Sequence, residues 1–220
     1  MWTIYIPSYF KLKNEQEMQE VIIDNGFATI TSLHKGMLTA THLPLLVSGD
    51  KKTLIGHFSK ANQQWKDIEG QEVLVVFQGP HCYISPSWYE NQDTVPTWNY
   101  VTVHVNGKVQ LLKDEDPRLW QSMVHLTDKY EDPMSLYNLH AVDPTYIAAL
   151  SKGVIGFTIS IDKIEGKAKL SQNHSKERVE RVIAELSKID KSDEQDIAKW
   201  MRKKSLSVLE EKKNGDSETN

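Results

Sequence analysis

The chain has little cysteine, no long apolar run and no excess of positive charge, and each shortage excludes a class of protein. Cys82 is the one cysteine among 220 residues, so an internal disulfide is impossible and a reducing compartment is favoured. Cys82 itself suits a small buried apolar position as well as a reactive one. Because no run of about 18 apolar residues occurs and the N-terminus lacks a basic region, we expect a cytoplasmic protein without membrane span or signal peptide.

Positive charge is scarce as well. The chain carries 26 Lys and Arg against 30 Asp and Glu, a formal net charge of −4, whereas nucleic-acid binding needs a basic surface that neutralises phosphates. The basic cluster at residues 202–204 lies in a stretch, residues 174–220, with 11 basic and 11 acidic residues. The net charge therefore argues against direct DNA binding, and no predicted helix has the basic, polar face of a DNA-recognition helix.

What the chain does have is a concentration of rings between residues 77 and 100. This segment contains Gly-Pro and Ser-Pro corners and is predicted to be a loop between two strands. Large rings are unusual in loops, and a set of them suits a planar ligand, because aromatic side chains offer broad apolar faces with polar edges. The rings in question are His81, Tyr83, Trp88, Tyr89, Trp98 and Tyr100.

Short apolar or alternating stretches predict a mainly β protein with helical additions. The strands are expected at residues 28–33, 37–42, 53–58, 72–78, 98–105, 108–112, 154–164 and 167–171. Asn106-Gly107 and Glu165-Gly166 are predicted to be hairpin turns. Helices are expected after the capping residues Asn14, Asp116 and Asp143, and two more after residue 173.

Five blocks of sequence carry a resemblance to a known family. They are Tyr5-Ile6-Pro7 with Phe10, residues 40–44, residues 56–62 with Trp65, residues 77–89, and residues 166–173. In this order they resemble the PaiB-type FMN-binding negative transcriptional regulators, of the FMN-binding split-barrel superfamily. The resemblance implies a split-barrel domain at residues 1–173, followed at residues 174–220 by a charged helical C-terminal extension with a disordered end. It also implies FMN as cofactor and a homodimer with each flavin at the interface.

The chemistry of FMN then selects residues from these blocks. The phosphate needs charge-assisted donors, for which Lys60 with Ser59 are candidates and Lys169 a second cation, unless these side chains are simply solvated. Backbone groups of residues 41–43 suit the pyrimidine edge, an aromatic side chain suits a flavin face, and uncharged amides suit the ribityl hydroxyls. The predicted cofactor-binding residues are Thr41, His42, Leu43, His57, Ser59, Lys60, Ala61, Asn62, Trp98, Tyr100, Lys169, Gln172 and Asn173.

The histidines raise a metal site as another possibility, but the spacing of His42, His57 and His81 fits no zinc pattern, so no metal is expected. The function that the resemblance implies is an FMN-binding negative regulator of transcription that affects protease production and sporulation, and the charge argument favours an indirect action. The alternative is an FMN-dependent oxidoreductase, a flavin reductase or oxidase, because FMN itself carries hydride chemistry. The sequence identifies no catalytic residues and leaves open whether the protein is an enzyme.

Overall fold

The computed structural model describes residues 4–90, 94–113, 116–137, 139–143, 145–146 and 151–217. Within these residues the strands are β1 (Lys11–Leu12), β2 (Phe27–His34), β3 (Met37–Pro44), β4 (Leu46–Val47), β5 (Thr53–Ser59), β6 (Glu72–Ile84), β7 (Thr97–Leu111) and β8 (Val154–Lys169). The helices are α1 (Glu15–Asp24), α2 (Pro117–Tyr130), α3 (Lys176–Leu186) and α4 (Ser192–Ser217). None of the helices described is both long and apolar enough to cross a membrane.

The strands form one sheet in the order β3-β2-β6-β7-β8-β5-β4, and β1 pairs with β8. Neighbouring strands such as β2 and β3, or β5 and β8, run antiparallel. The predicted fold class, mainly β with helical additions, is therefore confirmed.

The chain divides into two compact units. The first unit consists of Met1–Glu17, Gln78–Val103 and Glu165–Asn220, and the second of Met18–Phe77 and His104–Ile164. Strands β6, β7 and β8 each contribute residues to both units. The first unit contains residues from both sides of residue 173, and the division into residues 1–173 and 174–220 stays a prediction.

Both predicted hairpin turns are wrong, because β7 and β8 run unbroken through them. Gly107 instead allows β7 and β8 to approach each other closely. A Cβ built there would overlap the carbonyl oxygen of Ser160 and lie 2.7 Å from Cγ2 of Ile159. Gly166 lies within β8, opposite Leu12 of β1. A glycine inside a strand can thus mark backbone crowding as well as a turn.

The predicted aromatic loop is also wrong for most of its length. Residues up to Ile84 belong to β6, and β7 begins at Thr97. The run alternates in burial, since Cys82 and Ile84 are buried whereas His81 and Tyr83 are exposed, which is the period of a strand with one covered face. Burial raises the pKa of the Cys82 thiol to about 12, so this cysteine is a protonated apolar residue rather than a nucleophile.

The helix starts follow the predicted capping chemistry. The side chain of Asn14 accepts from the backbone N–H of Gln16 at 2.8 Å, and that of Asp116 accepts from Arg118 at 2.9 Å. Asp143 accepts from Thr145, whereas Pro144 and most of the helix predicted to follow lie outside the described residues. Helix α4 continues to Ser217, residues 218–220 are not described, and the disorder expected at the chain end stays a prediction.

Candidate functional site

The residues predicted to bind FMN fall into two groups, one in each unit, which are described separately. The second unit contains Thr41, His42, Leu43, His57, Ser59, Lys60, Ala61 and Asn62. The first unit contains Trp98, Tyr100, Lys169, Gln172 and Asn173.

In the second unit, β3 and β5 bring the predicted residues together. Strand β3 ends the strand order, so one of its backbone edges pairs with no other strand of the described ranges. It packs against β5, and a Cβ built at Gly56 would lie 3.3 Å from the carbonyl oxygen of Pro44. Along β3 the side chains of Thr41 and His42 point to opposite faces, because successive strand residues alternate. Only the backbone of residues 41–43 can therefore act as a single edge.

A buried amide, Gln64, organises this group. Its Oε1 accepts from the hydroxyl of Thr41 at 2.5 Å, and its Nε2 donates to Oγ of Ser32 at 2.8 Å. Asn62 donates to Oγ1 of Thr41 at 2.8 Å and accepts from the backbone N–H of Gln64 at 3.0 Å. We call Ser32, Thr41, Asn62 and Gln64 the polar cluster. The cluster fixes the segment after β5 against β2 and β3, and it commits the side chains of Thr41 and Asn62 to structural bonds.

The segment that follows β5 has its backbone donors in use. The N–H of Lys60 donates to the carbonyl of Gly153 at 2.8 Å, that of Ala61 to Oγ of Ser59 at 3.3 Å, and that of Asn62 to the carbonyl of Ser59 at 3.0 Å. The indole N–H of Trp65 donates to the carbonyl of Lys60 at 3.0 Å. Binding of an anion at this segment must therefore use the side chains of Ser59 and Lys60 rather than a cradle of backbone amides.

His57 provides the second signal of a ligand in this unit. Its Nδ1 is buried and has no hydrogen-bond partner among the described residues. Burial also lowers the pKa of the His57 imidazole below its usual range, so the ring is neutral near pH 7. A buried ring nitrogen without a partner costs stability unless something bonds it, and a hydroxyl or carbonyl of a ligand would do so.

The first unit presents a different arrangement, a sheet face of rings and lysines. Nζ of Lys169 donates to the hydroxyl of Thr97 and, at 2.6 Å, to the carbonyl of Trp98. Nζ of Lys167 lies 5.3 Å from the ring centroid of Tyr100. The ring of Trp98 is half exposed and stands near two further rings, 6.0 Å from His81 and 6.4 Å from Tyr83. We call this set the ring-and-lysine face: His81, Tyr83, Trp98, Tyr100, Lys167 and Lys169.

Gln172 and Asn173 lie at the turn that follows β8. The side chain of Gln172 accepts from the backbone N–H of Leu170 at 2.7 Å and donates to the carbonyl of Ala168 at 2.6 Å. Ser171, between Leu170 and Gln172, has a φ of 65°, in the left-handed region. Gln172 therefore closes a strained turn with both ends of its amide, and Asn173 is exposed.

Two residues of these arrangements were missed by the sequence reasoning. Gln64 had no signal apart from its place two residues after Asn62, and an isolated glutamine is normally a surface residue. Lys167 did carry a signal, since it stands two residues before Lys169 on a predicted strand, so both side chains were bound to share a face. In the part of the chain that the structure describes, no three His, Cys, Asp or Glu side chains are grouped so as to hold a metal ion.

The strand order with its helical additions defines a mainly β protein of the split-barrel class. Two solved structures share this fold. The flavocytochrome Anf3 from Azotobacter vinelandii matches with a TM-score of 0.57 and 17% identity, over 74% of this chain and 72% of its own. The FAD and heme binding protein from Mycobacterium smegmatis matches with a TM-score of 0.56 and 15% identity, over 77% of this chain and 78% of its own.

The chain belongs to the family described as "Putative FMN-binding domain", whose model matches residues 4–163. It is also similar to a Bacillus subtilis (strain 168) protein named "Protease synthase and sporulation protein PAI 2". The two are 37% identical over 205 residues, which cover 91% of this chain and 98% of the relative. The family membership predicted from the five sequence blocks is thereby confirmed.

Proposed function

We propose that the protein is an FMN-binding negative regulator of transcription of PaiB type, which affects protease production and sporulation. Membership of a family described as FMN-binding supports the cofactor. The name of the Bacillus subtilis relative, together with its near-complete coverage, supports the biological role. No comparison favours the alternative of an FMN-dependent oxidoreductase, and no observation identifies residues that would catalyse such a reaction.

The observation that carries the cofactor proposal is the buried Nδ1 of His57 without a partner among the described residues. His57 lies on β5, two residues before Ser59 and three before Lys60, whose side chains suit a phosphate. The backbone edge of residues 41–43 suits the polar rim of a flavin. FMN held here would supply redox-active ring chemistry. Ser59 and Lys60 would bind its phosphate, His57 would bond one of its polar groups, and the backbone of residues 41–43 would orient the ring edge, with the polar cluster fixing Thr41 and Asn62.

The residues of the first unit stay predicted flavin contacts. Trp98 and Tyr100 offer ring faces, and Lys169 offers a cation whose pKa is lowered by burial and then by the charge of Lys167. Gln172 has its side-chain amide bonded at a turn, so any contact with flavin would come from its neighbour Asn173 or from backbone groups.

The proposal includes a cytoplasmic homodimer that acts on transcription indirectly. Support for self-association comes from apolar side chains exposed on the β2–β3 hairpin, of which Phe27 is 66% and Leu38 is 78% exposed. Support for indirect action comes from the net charge of −4 and from Glu17, which pairs with Lys204 at 2.5 Å and Lys203 at 3.6 Å. The basic cluster of α4 is thus partly neutralised.

FMN titration of the purified protein, followed by the quenching of flavin fluorescence, tests the cofactor. We expect saturable binding with one FMN per chain. His57→Ala and Lys60→Ala should each weaken it by roughly 10-fold or more, the value of one charge-assisted or buried hydrogen bond. Lys66→Ala, on the exposed 3₁₀ turn that follows, is the matched control and should bind as the wild type does. Equal affinities for all four proteins would contradict this site.

A further inference from the structure

A cavity lies between helix α2 and the β4–β5 hairpin, and every residue that lines it belongs to the second unit. Its volume is about 280 Å³. Sites for drug-sized ligands commonly measure about 300–1,000 Å³, so this cavity suits a small metabolite rather than a flavin nucleotide. None of the predicted flavin contacts is among the described residues that line it.

One wall of the cavity is apolar. Leu46 of β4 lies opposite Ile55 of β5 in the hairpin register, and both line the cavity together with Val47. All three residues are only partly buried. Apolar surface that stays in contact with water costs free energy, which an alkyl group placed against it would recover. This wall therefore favours the aliphatic part of a ligand.

The opposite wall carries a polar row on α2. Arg118, Gln121 and His125 line the cavity, and their spacing of three and four residues places them on one face of the helix. The side chains of Gln121 and His125 have no hydrogen-bond partner among the described residues. The hydroxyl of Ser122, which also lines the cavity, is used inside the helix, where it donates to the carbonyl of Leu119 at 2.8 Å. The polar row therefore has groups available for a ligand.

Arg118 determines the charge of that ligand. Its Nε donates to Oδ1 of Asp116 at 3.0 Å and its Nη2 to Oδ2 at 2.7 Å, so the guanidinium is held in one orientation. Nη1, with two N–H donors, has no partner in the described part of the chain. No described Asp or Glu lines the cavity. The free edge of Arg118 therefore suits a carboxylate, although Asp116 offsets part of its charge and keeps the expected affinity in the millimolar range.

We propose that this cavity binds a small aliphatic carboxylate. The alkyl chain lies against the apolar wall of the hairpin, and the carboxylate accepts hydrogen bonds from Arg118 and Gln121. The site goes beyond the proposed function and does not depend on it, because neither wall uses a residue assigned to FMN.

Titration of the full chain with hexanoate and with its neutral analogue hexanamide tests the proposal. In protein labelled at the methyl groups of isoleucine, leucine and valine, hexanoate should shift the NMR signals of Ile55 and Val47 in a saturable way. The signal of Ile30, which is fully buried in β2, should stay unchanged. Hexanamide should bind roughly 10-fold or more weakly, because only the anion gains charge-assisted hydrogen bonds.

Substitutions on both walls separate the two parts of the site. Arg118→Met should reduce the affinity for hexanoate to that for hexanamide, and Gln121→Leu, at an exposed position, should reduce the preference as well. Val47→Trp should fill the cavity and abolish binding of both probes. Arg181→Met is the matched control, since Arg181 is an exposed arginine on α3, and it should bind both probes as the wild type does.

The comparison of the two probes on the wild type decides the matter even if Arg118→Met fails to fold. Equal affinity for hexanoate and hexanamide would overturn the proposal, as would methyl signals of Ile55 and Val47 that do not move at millimolar hexanoate. Displacement of hexanoate by FMN would also overturn it, since the cavity would then be part of the flavin site. Unchanged hexanoate binding in the presence of saturating FMN is the expected result.

Discussion

At the residue scale, Gln64 holds three segments of the second unit together. Its amide bonds Thr41, Ser32 and, at 3.1 Å, the carbonyl of Thr39, and the residue is 1% exposed. Gln64→Met keeps the length of the side chain but removes the acceptor of the Thr41 hydroxyl and the donors to Ser32 and to the carbonyl of Thr39. We expect the free energy of unfolding to fall by about 1–3 kcal/mol, as measured by urea denaturation.

Gln63→Met provides the matched control for this prediction. Gln63 is exposed, and its side chain donates only to the nearby carbonyl of Ala61. Its substitution should change the free energy of unfolding by no more than about 0.5 kcal/mol. FMN affinity should follow the same order, because Gln64 orients Thr41 and Asn62. If both variants were equally stable, the polar cluster would have no structural role.

The partly buried imidazole of His57 predicts a dependence of stability on pH. Burial lowers the folded-state pKa of His57 below its ordinary value of 6.5, so on acidification the unfolded chain takes up this proton first. The stability that His57 contributes is therefore complete above about pH 6.5 and is lost as the pH falls toward the folded-state pKa. The urea midpoint should decrease between about pH 7 and pH 5, and it should decrease less in His57→Gln.

The other groups with shifted pKa values do not obscure the comparison between the wild type and His57→Gln. Hydrogen bonds from Arg178 and Arg118 hold the pKa of Glu90 and of Asp116 at about 2, so both carboxylates stay ionised throughout the range. Burial, and then Arg178, lowers the pKa of His174 as well, but this contribution is common to wild type and variant. An identical loss of stability in His57→Gln would show that His57 is protonated as readily in the folded protein as in the unfolded chain.

At the element scale, Gly107 decides whether β7 and β8 can pair closely. A methyl group there meets the carbonyl of Ser160 and Cγ2 of Ile159, neither of which can move freely. Gly107→Ala should lower the free energy of unfolding by about 1–3 kcal/mol or more. Gly49→Ala is the control, because a Cβ at Gly49 has nothing within 4 Å and should leave the thermal midpoint nearly unchanged.

The same strands show what the sequence could predict and what it could not. Local chemistry was sufficient at Asn14 and Asp116, where a short side chain bonds a backbone group two residues away. It failed at Gly107, because the reason for that glycine is a strand far away in sequence. The rings at residues 81–100 were correctly identified as one group, but that most of them lie on two strands depends on long-range strand pairing and on the burial of Cys82 and Ile84.

The candidate site, too, could be predicted only in part from the sequence. Its residue types could be chosen from the five sequence blocks, since phosphate needs cations and flavin edges need donors and acceptors. The sequence could not predict which side chains of the site already have hydrogen-bond partners. Those of Thr41, Asn62 and Gln172 do, and their partners, such as Gln64 and the carbonyl of Ala168, are fixed by the folded structure. The buried Nδ1 of His57 likewise appears only after β5 is packed.

At the scale of the whole molecule, the exposed face of the β2–β3 hairpin predicts self-association. Phe27, Leu33 and Leu38 lie on its outer side, where Leu33 is paired with Leu38 in the register. Leu38→Lys should shift the protein toward monomer in sedimentation velocity, because a charge is costly to bury in an interface. Met134→Lys, at an equally exposed methionine outside any strand, should leave sedimentation unchanged. Monomeric wild-type protein would contradict the homodimer directly.

The electrostatics of the whole chain predict that the protein by itself does not bind promoter DNA specifically. Specific recognition normally builds on nonspecific attraction to phosphates, and a net charge of −4 opposes that attraction. The basic cluster at residues 202–204 is engaged elsewhere, since Lys203 and Lys204 pair with Glu17 and Arg202 donates to Oγ of Ser187. Fluorescence anisotropy with labelled promoter fragments of protease and sporulation genes, at about 0.1 M salt, should show no submicromolar binding, with or without FMN. Scrambled duplexes of the same length serve as the control. Tight binding to a promoter but not to its scrambled version, with a steep dependence on salt, would mean that the regulation is direct and that the assembled protein gathers a basic surface which the single chain lacks.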